Sequence, residues 1–275
     1  MSEPLPPHAP APSGKGETLP KSTQATRLAK KLGLTAARAH LIRREMQRRL
    51  PGIAIDPAGV KHLAVFPRLG VVYNRIQKNA NTTTMLLLDA LEVGHLRSIP
   101  QSKGQHLVFY KAWATGRFSL RDARYMVIVR SPYSRAVSSF LFKFGNRQEV
   151  ALSRYGREFP LSPQGFHDYL LWLKDGALTR DQHWDLQIHS LAMPASAFTD
   201  VIHIEHYDAE MRAFLARIGQ AEPARKFDLD EIRRLGSSHA TATKAKSGDH
   251  LTPANRALVS EIYAADFAAL GYAPG

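Results

Sequence analysis

The sequence predicts an α/β protein with a P-loop-like, three-layer fold: a central, mainly parallel sheet flanked by helices. Three observations carry this expectation. Short β-favouring runs alternate with helical stretches along the chain, the pattern of doubly wound α/β domains. Tyr125-Met126-Val127-Ile128-Val129 is continuously apolar, as in a parallel strand buried on both faces. Val71-Val72-Tyr73-Asn74 passes through polar Gln77–Asn81 straight into a helical stretch from Thr82.

Residues 1–25 are rich in Pro, Gly and Ser and nearly devoid of large apolar side chains, so they are expected to form a disordered leader. Residues 26–58 form a basic amphipathic helical segment. Its apolar positions (Leu28, Leu32, Ile42, Met46, Leu50) fall at helical spacing among many Arg and Lys, and Thr35 is placed to cap its second half. The α/β domain then occupies 59–275. Strands are expected at Val60–Pro67, Gly70–Tyr73, His106–Tyr110, Tyr125–Val129 and Asp200–His203. Between them lie helices over Thr82–Val93, stopped by Gly94, and over Tyr133–Lys143, Phe166–Lys174 and Asp181–Leu191, with another through Ile218. Residues 145–165 read as a Gly/Pro-rich loop and Phe227–Lys246 as a polar, mobile stretch. A final helix runs from Thr252, the cap, and Pro253 to Leu270.

The 275 residues carry 37 Lys and Arg against 24 Asp and Glu, a net charge of +13 that calls for an anionic partner. The absence of cysteine excludes disulfides, iron–sulfur clusters and thiol nucleophiles. No apolar run approaches the ~18–20 residues that span a bilayer. A cytoplasmic location is expected, with peripheral membrane contact open to the helix over 27–50.

The chemistry concentrates at strand ends, where α/β sheets place their ligands. After the Val71–Tyr73 strand, Lys78 offers a mobile charge, Thr82 and Thr83 offer hydroxyls, and the helix start offers backbone N–H groups and a positive dipole end. The glycines of the nucleotide-triphosphate P-loop are missing. At the next such end, Arg130 follows its strand directly and Ser138 lies two turns into the following helix. A guanidinium fork and a hydroxyl can hold one phosphate from two sides. Two separate anion grips suit a ligand with phosphate groups at both ends.

That pairing resembles the sulfotransferases that use 3′-phosphoadenosine 5′-phosphosulfate (PAPS), in particular the family 2 type of carbohydrate enzymes acting on chondroitin and heparan. Gln77-Lys78-Asn79-Ala80-Asn81-Thr82-Thr83 is similar to their 5′-phosphosulfate loop. Arg130-Ser131-Pro132-Tyr133-Ser134-Arg135-Ala136-Val137-Ser138 is similar to their 3′-phosphate segment, usually Arg-Asp/Glu-Pro-x-x-Arg-x-x-Ser. The likeness continues through Asp181-Gln182-His183-Trp184, Val201–Tyr207 and Tyr263…Asp266-Phe267…Gly271-Tyr272. Gln77 departs from the usual Pro, Ser131 from the usual acid, and no apolar run like the animal members' membrane anchor is found in residues 1–275.

The resemblance implies in-line sulfuryl transfer from PAPS to a carbohydrate hydroxyl, an acidic glycan being the fitting acceptor, with no metal and no nucleic-acid partner. Lys78 would neutralise the leaving group while Asn79, Ala80, Asn81, Thr82 and Thr83 cradle the 5′ end. Arg130 and Ser138 would hold the 3′-phosphate, and Lys244, in the basic stretch before His250, would close over the nucleotide. His106 is the candidate general base, by its likeness in position to the base of heparan 2-O-sulfotransferases; His183 and Glu205 are rivals. A P-loop kinase and a non-catalytic nucleic-acid or polyanion binder remain the alternatives.

Overall fold

The computed structural model describes residues 34–98, 119–224, 227, 229–236 and 249–275. The chain divides into two compact units, Met1–Arg38 and Ala39–Gly275, and apart from the first residues of one helix everything below concerns the second. The expected strand at His106–Tyr110, His106 itself and Lys244 lie outside the described residues.

The sheet has four strands in the order β1 (Leu63–Phe66), β2 (Val71–Asn74), β3 (Arg124–Val129) and β4 (Asp200–His203). β1 and β2 form an antiparallel hairpin, whereas β2–β3 and β3–β4 are parallel, with Val72 opposite Tyr125 and Val127 opposite Val201. The alternation of the strands sorts their side chains into two cores. Leu63, Val65, Val72, Val127 and Val129 face one side, with Met46, Met193 and Phe198. Ala64, Phe66, Val71, Tyr73, Met126 and Ile128 face the other. Helices on both faces and a mostly parallel sheet between them make the expected three-layer α/β architecture.

Helix α1 (Leu34–Arg49) contains Thr35 rather than starting at it, and packs Ile42 and Met46 on the first core. On the opposite face lie α2 (Asn81–Val93), through Met85, Leu86, Leu87, Leu88 and Leu91, and α6 (Tyr207–Arg217), through Met211, Phe214 and Leu215. A third, largely aromatic core joins α3 (Pro132–Phe140), which continues into a π turn over Leu141–Gly145, to α5 (Pro163–Trp172) and to α8 (Pro253–Ile262). Trp184, fully buried there, donates its indole N–H to Ala177 O at 2.9 Å.

Several local expectations are corrected. Val60 ends a one-turn helix over Pro57–Val60, capped by Asp56, rather than opening a strand. The presumed loop 145–165 contains α4 (Gln148–Tyr155), a helix anchored by buried Ala151 and ended by left-handed Gly156. Asp181–Leu191 is not one helix but a turn followed by a short 3₁₀ segment, Gln187–Ser190. The Asp181 carboxylate accepts the His183 N–H at 2.9 Å and the Asp185 carboxylate that of Leu186 at 2.8 Å, local bonds that compete with helix formation. Within 227–246, Leu229–Gly236 is a helix, α7. The final helix is two, α8 and α9 (Ala264–Leu270), divided at Tyr263 (φ −106°, ψ 21°), whose hydroxyl bonds Trp184 O at 2.7 Å.

Candidate active site

The site is built from the carboxyl ends of β2, β3 and β4. Asn74 ends β2 fully buried; its amide donates to Ser190 O and accepts from Ala192 N, both at 2.8 Å, fixing where the following loop begins. In that loop Lys78 (φ 71°) and Ala80 (φ 52°) are both left-handed, which turns the chain sharply into α2. No side chain caps α2, so its first-turn N–H groups are left for a ligand or water.

A buried amide staples the loop to the sheet. Asn79 Nδ2 donates to Ile128 O at 2.9 Å and to Gln187 Oε1 at 2.6 Å. Gln187 Oε1 also accepts the Arg130 N–H at 3.1 Å, and its Nε2 donates to Arg130 O at 2.8 Å. Gln187 is held in turn by Asp266 of α9, which accepts the backbone N–H groups of Gln187 and Ile188 at 2.8 and 3.1 Å. One side chain therefore sets the spacing between the Lys78 loop and the Arg130 strand end.

Arg130 uses its fork only in part. Nε donates to Ser134 Oγ and Nη1 to Lys78 O, each at 2.9 Å. Burial pulls its pKa down to about 10, opposed by the Glu205 carboxylate. Ser138, 2 % exposed, has no hydroxyl partner among the described residues, whereas neighbouring Ser139 is satisfied by Ala136 O at 2.8 Å. Arg135 is a different case. Its guanidinium, 1 % exposed, is spent on three carbonyls, Gln77 O at 3.2 Å, Asp185 O at 2.6 Å and Gln182 O at 3.2 Å.

Lys78 has no carboxylate partner among the described residues. Its Nζ sits 4.0 Å from the centre of the Phe142 ring. Burial, followed by the charges of Arg130, Lys143, Arg135 and Arg147, lowers its pKa from 10.5 to about 7. A cation so depleted of counter-charge is poised to accept an anion. A cleft of about 560 Å³ opens between the start of α2 and the end of β4, lined by Ala80, Thr83, Ile204, Glu205, His206 and Tyr207.

Glu205 accepts the Ser131 N–H at 2.9 Å and the Tyr272 hydroxyl at 2.8 Å. The carboxylate absent at position 131 is thus supplied to the start of α3 from the end of β4. His183 is stacked on the Phe142 ring at 5.5 Å between ring centres, with Nδ1 on the Asp181 carboxylate.

The structure brings Lys78, Asn79, Ala80, Asn81, Thr82, Thr83, Arg130 and Ser138 to one end of the sheet, with Glu205 and His183 beside them. Gln187 and the three-carbonyl grip of Arg135 escape sequence reasoning. Gln187 sits in a run that reads as an amphipathic helix, and an Arg bound only to backbone leaves no complementary acid to find. Among the described residues no cluster of His, Asp and Glu side chains could hold a metal ion, and no helix is long and apolar enough to cross a membrane.

Fold and site together make an α/β domain whose cationic site lies at the carboxyl ends of parallel strands. The chain belongs to the sulfotransferase family, whose model matches residues 61–273. No curated protein and no solved structure matches it.

Proposed function

We propose that this sulfotransferase moves the sulfuryl group of PAPS to a hydroxyl of a carbohydrate, an acidic glycan in particular. The observation that carries the reading is Lys78. It is a half-buried cation without an acid partner among the described residues, placed where an uncapped helix start and the partly used fork of Arg130 converge. PAPS supplies the activated sulfuryl group and leaves as 3′,5′-adenosine bisphosphate. The chain's part is to bind, orient and neutralise charge.

In this reading Lys78 faces the oxygen on which negative charge grows. The backbone of Asn79, Ala80 and Asn81 and the hydroxyls of Thr82 and Thr83 hold the 5′ end. Arg130 and Ser138 take the 3′-phosphate, and Lys244 is assigned the closing contact. The cleft beside Thr83 and Tyr207 suits the purine. The acidic acceptor is supported by the exposed Arg147, Arg154 and Arg157 around α4, with the Arg147 guanidinium 4.9 Å from the Phe142 ring centre.

The test is calorimetric titration of 3′,5′-adenosine bisphosphate into wild type and Arg130→Ala, with 5′-AMP as control. Wild type should bind the bisphosphate with micromolar affinity, about −8 kcal/mol, and 5′-AMP at least tenfold more weakly. Arg130→Ala should lose that preference. A wild type indifferent to the 3′-phosphate would turn attention to nucleic-acid and polyanion binding.

A further inference from the structure

The cluster behind Phe142 contains a buried carboxylate with more donors than a structural ion pair needs. Asp181, 4 % exposed in its side chain, accepts from Lys143 Nζ at 2.8 Å, from the Tyr155 hydroxyl and from the backbone N–H of His183. Its other bond, at 2.5 Å, is to Nδ1 of the His183 ring. Burial pushes the Asp181 carboxyl up, but the hydrogen bonds of His183, Lys143 and Tyr155 outweigh it and hold it well below the usual carboxylate range. It is therefore an anion at every working pH and an acceptor only. A neutral imidazole bonded to it must carry its proton on Nδ1, which leaves the lone pair on Nε2.

That Nε2 has no hydrogen-bond partner among the described residues, and 19 % of the His183 side chain remains exposed. The ring is held flat against Phe142, with an interplanar angle of 19°, and the Lys78 ammonium lies over the same phenyl ring. Burial lowers the His183 pKa; Asp181 opposes this, while Lys143 and Lys78 add to it, and the balance favours the neutral imidazole. A neutral, oriented, partly open imidazole shares one aromatic platform with the cation assigned to the leaving group. This is the arrangement required of a general base in an in-line displacement.

We propose that His183 is the general base that takes the acceptor's proton, and that Asp181, fixed by Lys143 and Tyr155, is its positioning residue. This rests on the sulfotransferase reading and names a different residue from His106, which lies outside the described residues. As the acceptor oxygen forms its bond to sulfur, its proton passes to His183 Nε2. The bond between sulfur and the donor's bridging oxygen breaks, and the electron pair stays on the bisphosphate facing Lys78.

The full-length chain tests this with His183→Gln and Asp181→Asn, read in three ways. Bisphosphate affinity by calorimetry should stay within about twofold of wild type in His183→Gln. Release of bisphosphate from PAPS, with unsulfated chondroitin or water as acceptor, should fall about 10²–10⁴-fold. In ¹⁵N-histidine-labelled protein the His183 signals should show Nδ1 protonated and Nε2 bare, and Asp181→Asn should lose that bias. Asp181→Asn should also move the acidic limb of the rate profile to lower pH, because the carboxylate favours the imidazolium; a merely structural residue would leave it in place. If Asp181→Asn fails to fold, Tyr155→Phe, which strips one donor from the carboxylate, should move the limb the other way. Turnover retained in His183→Gln with bisphosphate binding intact would overturn the proposal. So would a proton found on Nε2, which alone decides if neither acceptor turns over. Failure of wild type to bind the bisphosphate would instead remove the reading beneath it.

Discussion

Lys78→Met should lower sulfuryl transfer by about 10²–10³-fold, the usual loss when one preorganised group facing developing negative charge is removed. The same substitution should leave the protein as stable as wild type or more so. Lys78 is charged in a half-buried place crowded by Arg130, Lys143, Arg135 and Arg147, and its pKa falls from 10.5 to about 7. The unfolded chain then binds more protons than the folded one between those two values, so stability gained through this group rises with pH across that window. Below pH 7 the folded state carries the full penalty of the buried charge, and above about 10.5 it carries none. The stability difference between Lys78→Met and wild type should accordingly be largest at pH 6 and fade towards pH 10, as read by urea unfolding across the range. Ligand binding runs the opposite way. An anion restores the charge to Lys78, so bisphosphate affinity in wild type should fall above pH 7, approaching tenfold per unit. In Lys78→Met that slope should vanish.

Arg135→Ala should destabilise the domain by about 3–5 kcal/mol, because three carbonyls lose a buried, charged donor at once. Those carbonyls belong to Gln77, at the start of the Lys78 loop, and to Gln182 and Asp185, on either side of His183. The loss should therefore register in denaturant unfolding and as weaker bisphosphate binding in the fraction that folds. Arg135→Lys should rescue little, since an ammonium cannot span acceptors that a planar fork reaches in fixed geometry.

These two cations show how far the sequence could be read. The placement of Lys78 was legible because an apolar strand precedes it and a helix follows, and that of Arg130 for the same reason. The four described strands, the fold class and the cap at Thr252 followed from pattern alone. Arg135 sits in the same motif, five residues after Arg130, yet one is partly open and the other sealed. That difference depends on residues 182–185 folding back over α3, a tertiary fact with no local signature. The Asp181–Leu191 segment misled for a related reason. Its spacing is helical, but Asp181 and Asp185 spend their carboxylates on nearby N–H groups, and Asp266, far along the chain, claims those of Gln187 and Ile188. Asp181 itself draws meaning only from Lys143 and Tyr155, which approach it from other elements.

The left-handed backbone at Lys78 and Ala80 has an implication for anyone altering this enzyme. Neither residue is glycine, and each pays about 1 kcal/mol or more for that conformation. A search guided by folding energy alone would replace Ala80 with glycine and be rewarded with a higher melting temperature. The substitution should also release the hinge at the head of α2, so that the loop no longer waits in its ligand-ready shape. Thermal denaturation and bisphosphate titration of Ala80→Gly should then move in opposite directions, tolerance of heat rising as affinity declines. Relieving the conformational tension in this turn should therefore blunt the loop's aim even as it improves the fold.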